Sequence, residues 1–378
     1  MKTNERLQII ECNNAIILPQ RITDDGPRWG LGGVVNDKNE FVEDSFYDGG
    51  WAKHGGLYSW EKESYINDDA IYIGLYLPHW GHFLIDLMTR MWGVPKLTEA
   101  NSNIKIAYIG EESFSGNCLQ LIKALGVKDN QLMHVTKPVR FRKVYVPQQS
   151  FKSCEWYTDE HVQMLDLVIK TELSDCSDIS EKFRKDRIYF SRRKFGKAIR
   201  SEFGEEYFES VFENNGYQIL SPEEMSLKEQ IYVWNNAKKI VCINGTIPLN
   251  VLFSLNEDLD LTILNKTSIK HDNPYILLKM RNIKTTFINI YKEPFEGFPK
   301  SLGEGPFLLW PTSEFSNYCT NKNLMQEMTA WQTNIVFRIS ELKYCWSIIS
   351  PFKSVKDQVR KLIPHGIKEK LKELIGRP

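Results

Sequence analysis

Turn signals crowd the first 65 residues of the chain. Asp24-Asp25-Gly26-Pro27, Gly32-Gly33, Gly49-Gly50 and Gly55-Gly56 are dense enough there to predict short strands and loops rather than helices. The first long apolar run, AIYIGLYL at 70–77, reads as a buried strand. Pro78 ends it, and 81–92 has helical spacing. Further strands are predicted at 104–109 and 144–146, and helices at 119–125 (closed by Gly126) and 159–173. Residues 175–185 are polar and aperiodic, and a domain boundary is placed there.

Beyond that boundary the pattern is regular. Strands are predicted at 187–191, 217–220, 239–244, 259–264 and 285–291. Helices alternate with them at 202–214, 226–237, 248–255 and 274–280, and Ser226 with Glu229 forms a capping-box pattern. Alternation of this kind implies a parallel sheet covered by helices on both faces. Ligands of such sheets sit beyond the carboxyl ends of the strands. Ser191-Arg192-Arg193 and Asn244-Gly245-Thr246 fall at two of those ends.

Composition narrows the class of protein. At 378 residues the chain is long for one core, so two domains are expected. Lys plus Arg equals Asp plus Glu at 48 each, which gives no global basic field for nucleic acid. The charge is nonetheless uneven: ten Lys/Arg face four Asp/Glu from Arg338 onward. There Ile335, Val336, Phe337, Leu342, Trp346, Ile348, Ile349 and Phe352 mix with Lys353, Lys356, Arg360, Lys361, Lys368, Lys370 and Lys372. This segment is expected either to lie on an anionic membrane surface or to close on the first domain as a helix pair. Seven scattered cysteines without a CxxC pair argue against a disulfide framework and a zinc site. The opening residues lack a signal-peptide core, and the apolar stretch 71–88 is broken by Pro78, His79, His82 and Asp86. A cytoplasmic protein is therefore expected.

Two constellations carry candidate chemistry. His82, Asp86 and Arg90 recur every fourth residue and would share one face of a helix. Such a face is either an imidazole base with its orienting carboxylate or a solvated ladder worth little energy. Ser191-Arg192-Arg193, with Lys194, Lys197 and Arg200, is either a phosphate site or a solvated basic turn. Guanidinium groups grip phosphate oxygens and keep their charge at neutral pH. The turn Asn244-Gly245-Thr246, with Asn250 after it, allows close backbone approach of a ligand. No GxGxxG, GxxxxGK[ST] or GxSxG motif is present. Asp258-Leu259-Asp260 has the form of a metal-binding Asp-x-Asp, but it precedes a strand rather than ending one, so no metal site is assigned.

HFLIDLMTRMW (82–92), YFSRR (189–193), LKEQIYVWNNAKKIV (227–241) and Gly245 with Asn250 and Phe253 together resemble glycosyltransferase family 61, whose members include bacterial capsular-polysaccharide transferases. The resemblance implies an α/β fold of GT-B type, with two Rossmann-like domains facing a cleft and a C-terminal helical tail. On this reading 1–175 is the acceptor-side domain, 186–315 binds the nucleotide sugar, and 316–378 is the helical segment. It further implies inversion at the anomeric carbon, a nucleotide-sugar co-substrate, and no cofactor or obligatory metal. Arg192 and Arg193 would face the donor diphosphate, with Gly245, Thr246 and Asn250 nearby. Asn244 and Thr246 depart from the His and Ala usual around that Gly. Beyond the resemblance, either His82 or Asp86 is expected to serve as base with Arg90 lining the cleft, and the loop positions of Glu223 and Glu229 suggest that one of them meets the ribose or base. The acceptor is expected to be an oligosaccharide or a lipid-linked glycan, in capsular or other cell-surface polysaccharide synthesis. The alternatives are a non-catalytic carbohydrate-binding or assembly protein on the same fold, and a nucleotide-sugar-modifying enzyme such as an epimerase.

Overall fold

The computed structural model describes residues 1–3, 6–270, 272–326 and 330–349. The basic residues from Lys353 onward, and Phe352, lie outside the described residues, and so does the membrane-surface expectation that rests on them.

The first half is built on a seven-stranded mixed sheet. Its order is Leu31–Val35, Ile16–Arg21, Val139–Pro147, Ser64–Leu75, Lys105–Ile109, Leu132–His134, with Ile9–Asn13 also paired to Val139–Pro147. The four later strands run parallel to one another, and the three earliest join antiparallel. The strand predicted at 70–77 begins earlier, at Ser64. Its polar first part is exposed and pairs with Val139–Phe141, whereas Asp69 to Leu75 is buried. Hydrophobic pattern detects only the buried part of such a strand.

The helix expected over 81–92 is not one regular helix. It is an α-helical turn Trp80–His82, a π-helical turn Phe83–Leu87 and a 3-10 turn Met91–Gly93. The widened turn is closed by Met88 N–H donating to Phe83 O at 3.2 Å. Side-chain demands explain the distortion. Phe83, Leu84, Leu87 and Met88 enter the core while Asp86, also buried, needs polar partners on the other side.

The second half is a five-stranded parallel sheet ordered Gln218–Leu220, Arg187–Phe190, Lys239–Ile243, Asp260–Asn265, Thr285–Asn289. In chain order this is 2-1-3-4-5, so the chain leaves the first strand toward one side and returns on the other. The crevice between the ends of Arg187–Phe190 and Lys239–Ile243 is the switch point, where such sheets bind ligands. Helices Glu205–Asn214, Leu227–Asn236 and Asn273–Arg281 and the 3-10 helix Ile247–Phe253 make the connections. The capping box is formed: Glu229 N–H donates to Ser226 Oγ, and Ser226 N–H to the Glu229 carboxylate. A small sheet of Glu202–Phe203, Phe307–Leu309 and Tyr291–Lys292, absent from the sequence reading, braces the basic loop that follows Phe190.

Strand alternation divides the core. Ile188, Phe190, Ile240, Cys242, Leu261 and Ile263 face a cluster that also contains Ile71, Phe83 and Leu121 of the first half. Tyr189, Val241, Ile243 and Leu264 face the opposite side, against Phe208, Phe212 and Phe315. Both faces of this sheet are covered, which is why its strands read as unbroken apolar runs. The first cluster is continuous across the two halves. Helix Asp159–Glu172 lies within it, touching both Gly116–Ala124 and Leu227–Asn236. The Arg281 Nη1 pair with Asp166 at 2.6 Å adds a polar clasp at its edge.

Candidate active site

The loops of the two halves meet where the turn Trp80–His82 approaches Gly245-Thr246. A Cβ on Gly81 would stand 3.2 Å from Thr246 Oγ1, so glycine permits the approach. Trp80 Nε1 donates to Asn250 Oδ1 at 3.0 Å, while Asn250 Nδ2 donates to Ile247 O at 3.0 Å. Asn250 is thereby committed to joining the two loops, and it is buried.

Asp86 is the pivot of the first side. Fully buried, it accepts from Tyr47 OH at 2.6 Å on Oδ1 and lies 2.9 Å from His82 Nδ1 on Oδ2. Burial and then the Asp86 charge push the Tyr47 hydroxyl far above its ordinary pKa, so it remains a donor. The His82 side chain is 31% exposed. With Nδ1 turned to Asp86, Nε2 is the ring nitrogen left for a ligand. His79 caps the same turn, its Nδ1 accepting from His82 N–H at 3.4 Å. Burial, then His82 and Lys197, hold the His79 imidazole below its usual pKa and keep it neutral.

Three aromatic rings surround this pair. Trp51 stacks on His82 with centroids 5.0 Å apart, Trp29 meets His82 edge-on at 5.5 Å, and Trp29 stacks on Tyr47 at 5.6 Å. Trp51 is 45% exposed and carries the Arg28 guanidinium 4.8 Å from its ring centroid. Tyr47, Trp29 and Trp51 escape a sequence reading because nothing in their spacing ties them to His82.

Arg90 is placed elsewhere. Expected to line the cleft, it is 2% exposed, and Nη2 donates to the carbonyls of Asp44 and Phe46 at 2.7 Å each. The π turn and the break after Met88 rotate it off the His82–Asp86 face. It holds the loop that delivers Tyr47 to Asp86.

On the other side of the crevice Arg192 and Lys266 share one carboxylate. Arg192 Nε donates to Glu202 at 2.9 Å and Lys266 Nζ donates to Glu202 at 2.7 Å; the side chains of Glu202 and Lys266 are buried and that of Arg192 is 12% exposed. Arg192 N–H also donates to Glu205 at 2.8 Å. Gly245, at φ +150°, presents no side chain to them. A Cβ there would lie 3.8 Å from Arg192 Nη1 and 3.9 Å from Lys266 Nζ. Burial brings the Lys266 ammonium down to about 8, against the pull of Glu202, and lifts the Glu205 carboxyl to about 8. Glu202 is held below the usual carboxylate range by Arg192 and Lys266, although burial opposes them. Two cations against one ionised carboxylate leave an excess positive charge at the switch point. Lys266 directly follows a strand, so the strand-end rule that selected Arg192 also points to it.

The remaining candidates are dispersed. Arg193 turns away from Arg192, pairs with Glu209, and lines a separate cavity of about 520 Å³ with Lys194, Ser221 and Glu224. Glu229 is occupied by its helix cap and by Lys182. Glu223 lies exposed on the turn Pro222–Glu224, near enough for its charge to interact with Arg192. Asp260 opens its strand and pairs with Lys322 at 2.7 Å. Among the described residues no three His, Cys, Asp or Glu side chains gather as a metal-ligand set.

A mixed α/β fold with a cationic crevice at a sheet switch point, approached by a turn that carries a partly exposed imidazole on a buried carboxylate, is consistent with an α/β glycosyltransferase. Residues 80–260 match the family described as Glycosyltransferase 61. The matched stretch contains His82, Asp86, Arg192 and Gly245, and the similarity supports a glycosyltransferase. No curated protein matches the chain.

Proposed function

We propose that the protein is an inverting glycosyltransferase of GT-B architecture that moves a sugar from a nucleotide-sugar donor to a glycan acceptor in cell-surface polysaccharide synthesis. The observation that carries this reading is the approach of the Trp80–His82 turn, whose His82 is joined to Asp86 and Tyr47, to the Gly245-Thr246 loop, with Arg192 and Lys266 beside Gly245. Asp86 is enclosed, so His82 is the base and Asp86 orients it. The acceptor hydroxyl gives its proton to His82 Nε2 as its oxygen bonds to the anomeric carbon. The bond from that carbon to the diphosphate oxygen breaks on the opposite face, and the electron pair leaves with the diphosphate. Arg192 and Lys266 stabilise that developing charge. Such stabilisation strengthens as charge grows, so it favours the transition state over the bound donor.

Trp51 and Trp29 supply apolar faces beside His82 for a saccharide acceptor. The donor's base and ribose are assigned to the side of Glu223 and the Arg193 cavity. No helix among the described residues is long and apolar enough to cross a membrane. A lipid-linked acceptor at the inner face of a membrane would instead be reached through the basic segment beyond Ile349.

Product formation by the purified chain from nucleotide sugars and glycan acceptors tests the reading. His82→Ala and Arg192→Ala should each lower transfer at least about a hundredfold. Near-wild-type rates in both would remove its basis.

A further inference from the structure

Asn244, Asn265 and Asn289 stand at the carboxyl ends of three neighbouring strands, and their side-chain amides are joined head to tail. Glu314, in the first turn of helix Ser313–Asn321, accepts from Asn289 Nδ2 at 2.8 Å. Asn289 Oδ1 accepts from Asn265 Nδ2 at 3.1 Å, and Asn265 Oδ1 accepts from Asn244 Nδ2 at 2.9 Å. The carboxylate sets the direction of this chain. An ionised carboxylate only accepts, so Asn289 must give it an N–H, and each following amide is obliged to do the same. The last amide, that of Asn244, therefore has Nδ2 turned to Asn265 and Oδ1 turned away from it.

Asn244 is 6% exposed, and its Oδ1 is buried without a hydrogen-bond partner among the described residues. An orphaned buried acceptor is costly and calls for an occupant. Asn244 directly precedes Gly245, beside Arg192 and Lys266. The two cations suit phosphate oxygens, whereas a carbonyl oxygen does not, because an ionised diphosphate has no hydrogen to donate. A ring hydroxyl or an acylamino N–H does.

We propose that Asn244 Oδ1 accepts a hydrogen bond from a hydroxyl or amide group of the donor's sugar, and that Glu314, Asn289 and Asn265 are positioning residues that lock it in that sense. The proposal rests on the nucleotide-sugar reading of the crevice. It divides the donor between two recognition devices: the diphosphate to Arg192 and Lys266, the sugar to Asn244.

Titration calorimetry on the full chain, with UDP, GDP and a panel of UDP- and GDP-sugars, tests it. For the sugar nucleotide that wild type binds, Asn244→Ala should weaken binding about tenfold and leave the matching nucleoside diphosphate within about twofold. Glu314→Gln, isosteric and only half-buried, lets the amide chain reverse. It should weaken the same ligand severalfold, and it provides the test if Asn244→Ala does not fold. In the Asn244→Ala background Glu314→Gln should add nothing, since a residue acting through Asn244 has nothing left to position. Equal losses for sugar nucleotide and diphosphate, no loss in either variant, or independent effects in the double variant would each overturn the assignment while sparing the donor reading. If wild type binds diphosphates but no sugar nucleotide, the donor reading itself falls, and this proposal with it.

Discussion

Lys266 ties the buried electrostatics of the crevice to a measurable pH dependence. Its side chain is 3% exposed, and burial lowers its pKa from 10.5 to about 8, with Arg192 acting in the same direction and Glu202 opposing. The difference, 10.5 − 8, is about 2.5 units, which at about 1.36 kcal/mol per unit is on the order of 3 kcal/mol held against the charged form. On the proposed reading a bound diphosphate would supply the missing negative charge and restore the ammonium. Below pH 8 the free site is already protonated, so this group leaves affinity flat. Above it, binding must take up a proton, and Kd rises by at most about tenfold per pH unit. Glu205, lifted to about 8 mainly by burial, gains negative charge over the same range and acts in the same sense. Calorimetric titration with a nucleoside diphosphate between about pH 7.5 and 9.5 should show roughly twenty-fivefold weakening from Lys266 alone. Lys266→Met keeps the apolar stem and removes the charge. It should bind weakly throughout and retain only the Glu205 part of the slope, and adding Glu205→Gln should flatten it. Wild-type affinity that is flat across the window, or a slope surviving in the double variant, would refute the placement of Lys266 against the diphosphate.

The same two groups shape stability. Glu205 has its folded pKa raised, so the stability it contributes at low pH is lost as pH rises from about 4.5 to about 8. Lys266 has its folded pKa lowered, so its penalty is present below about 8 and is relieved toward about 10.5. Their joint contribution to thermal stability is least near pH 8, and the Lys266→Met/Glu205→Gln variant should lose that minimum in Tm-against-pH curves.

Asp86→Asn should cut the rate of transfer by about 10²- to 10⁴-fold through loss of the tautomer and orientation of His82, with donor affinity unchanged. Tyr47→Phe should cost less, about tenfold, and single-turnover product formation checks both. Arg90→Met leaves the carbonyls of Asp44 and Phe46 without their donor. It should lower stability by roughly 3 kcal/mol in denaturant unfolding, and an unfolding curve like that of wild type would refute its anchoring role. Trp51→Ala should raise the acceptor KM about tenfold without changing donor binding, and the opposite split would move the acceptor away from this ring.

Much of the second half was legible in the sequence. Its five main strands are apolar on both faces and helices alternate with them, so those strands could be placed by local pattern and their carboxyl edge by topology. Arg192 and Gly245 follow from that rule, and so would Lys266 have done. Arg193 shows where the rule stops. Adjacent residues after a strand point in different directions, and only Glu209 on the neighbouring helix decides that Arg193 leaves the crevice. Asn250 fits the expected motif, yet its side chain is taken by Trp80 from the other half of the molecule.

The His82–Asp86–Arg90 face divides along the same line. Four-residue spacing sufficed to bring His82 and Asp86 together, because a hydrogen bond across one turn depends on local geometry alone. Arg90 was lost to that face by a π turn, a distortion driven by the simultaneous burial of Phe83, Leu87 and Asp86 against distant partners. Tyr47, Trp29 and Trp51 come from loops whose course is set by packing on the sheet, so no spacing announces them. The sequence by itself determined the parallel sheet, the strand ends that carry Arg192 and Gly245, and the His82–Asp86 pair, all short-range consequences of periodicity. Tertiary structure decided which charges remain in the crevice and which are spent on anchoring. A buried charge or amide takes its role from whichever partner can satisfy it, and those partners lie far away along the chain.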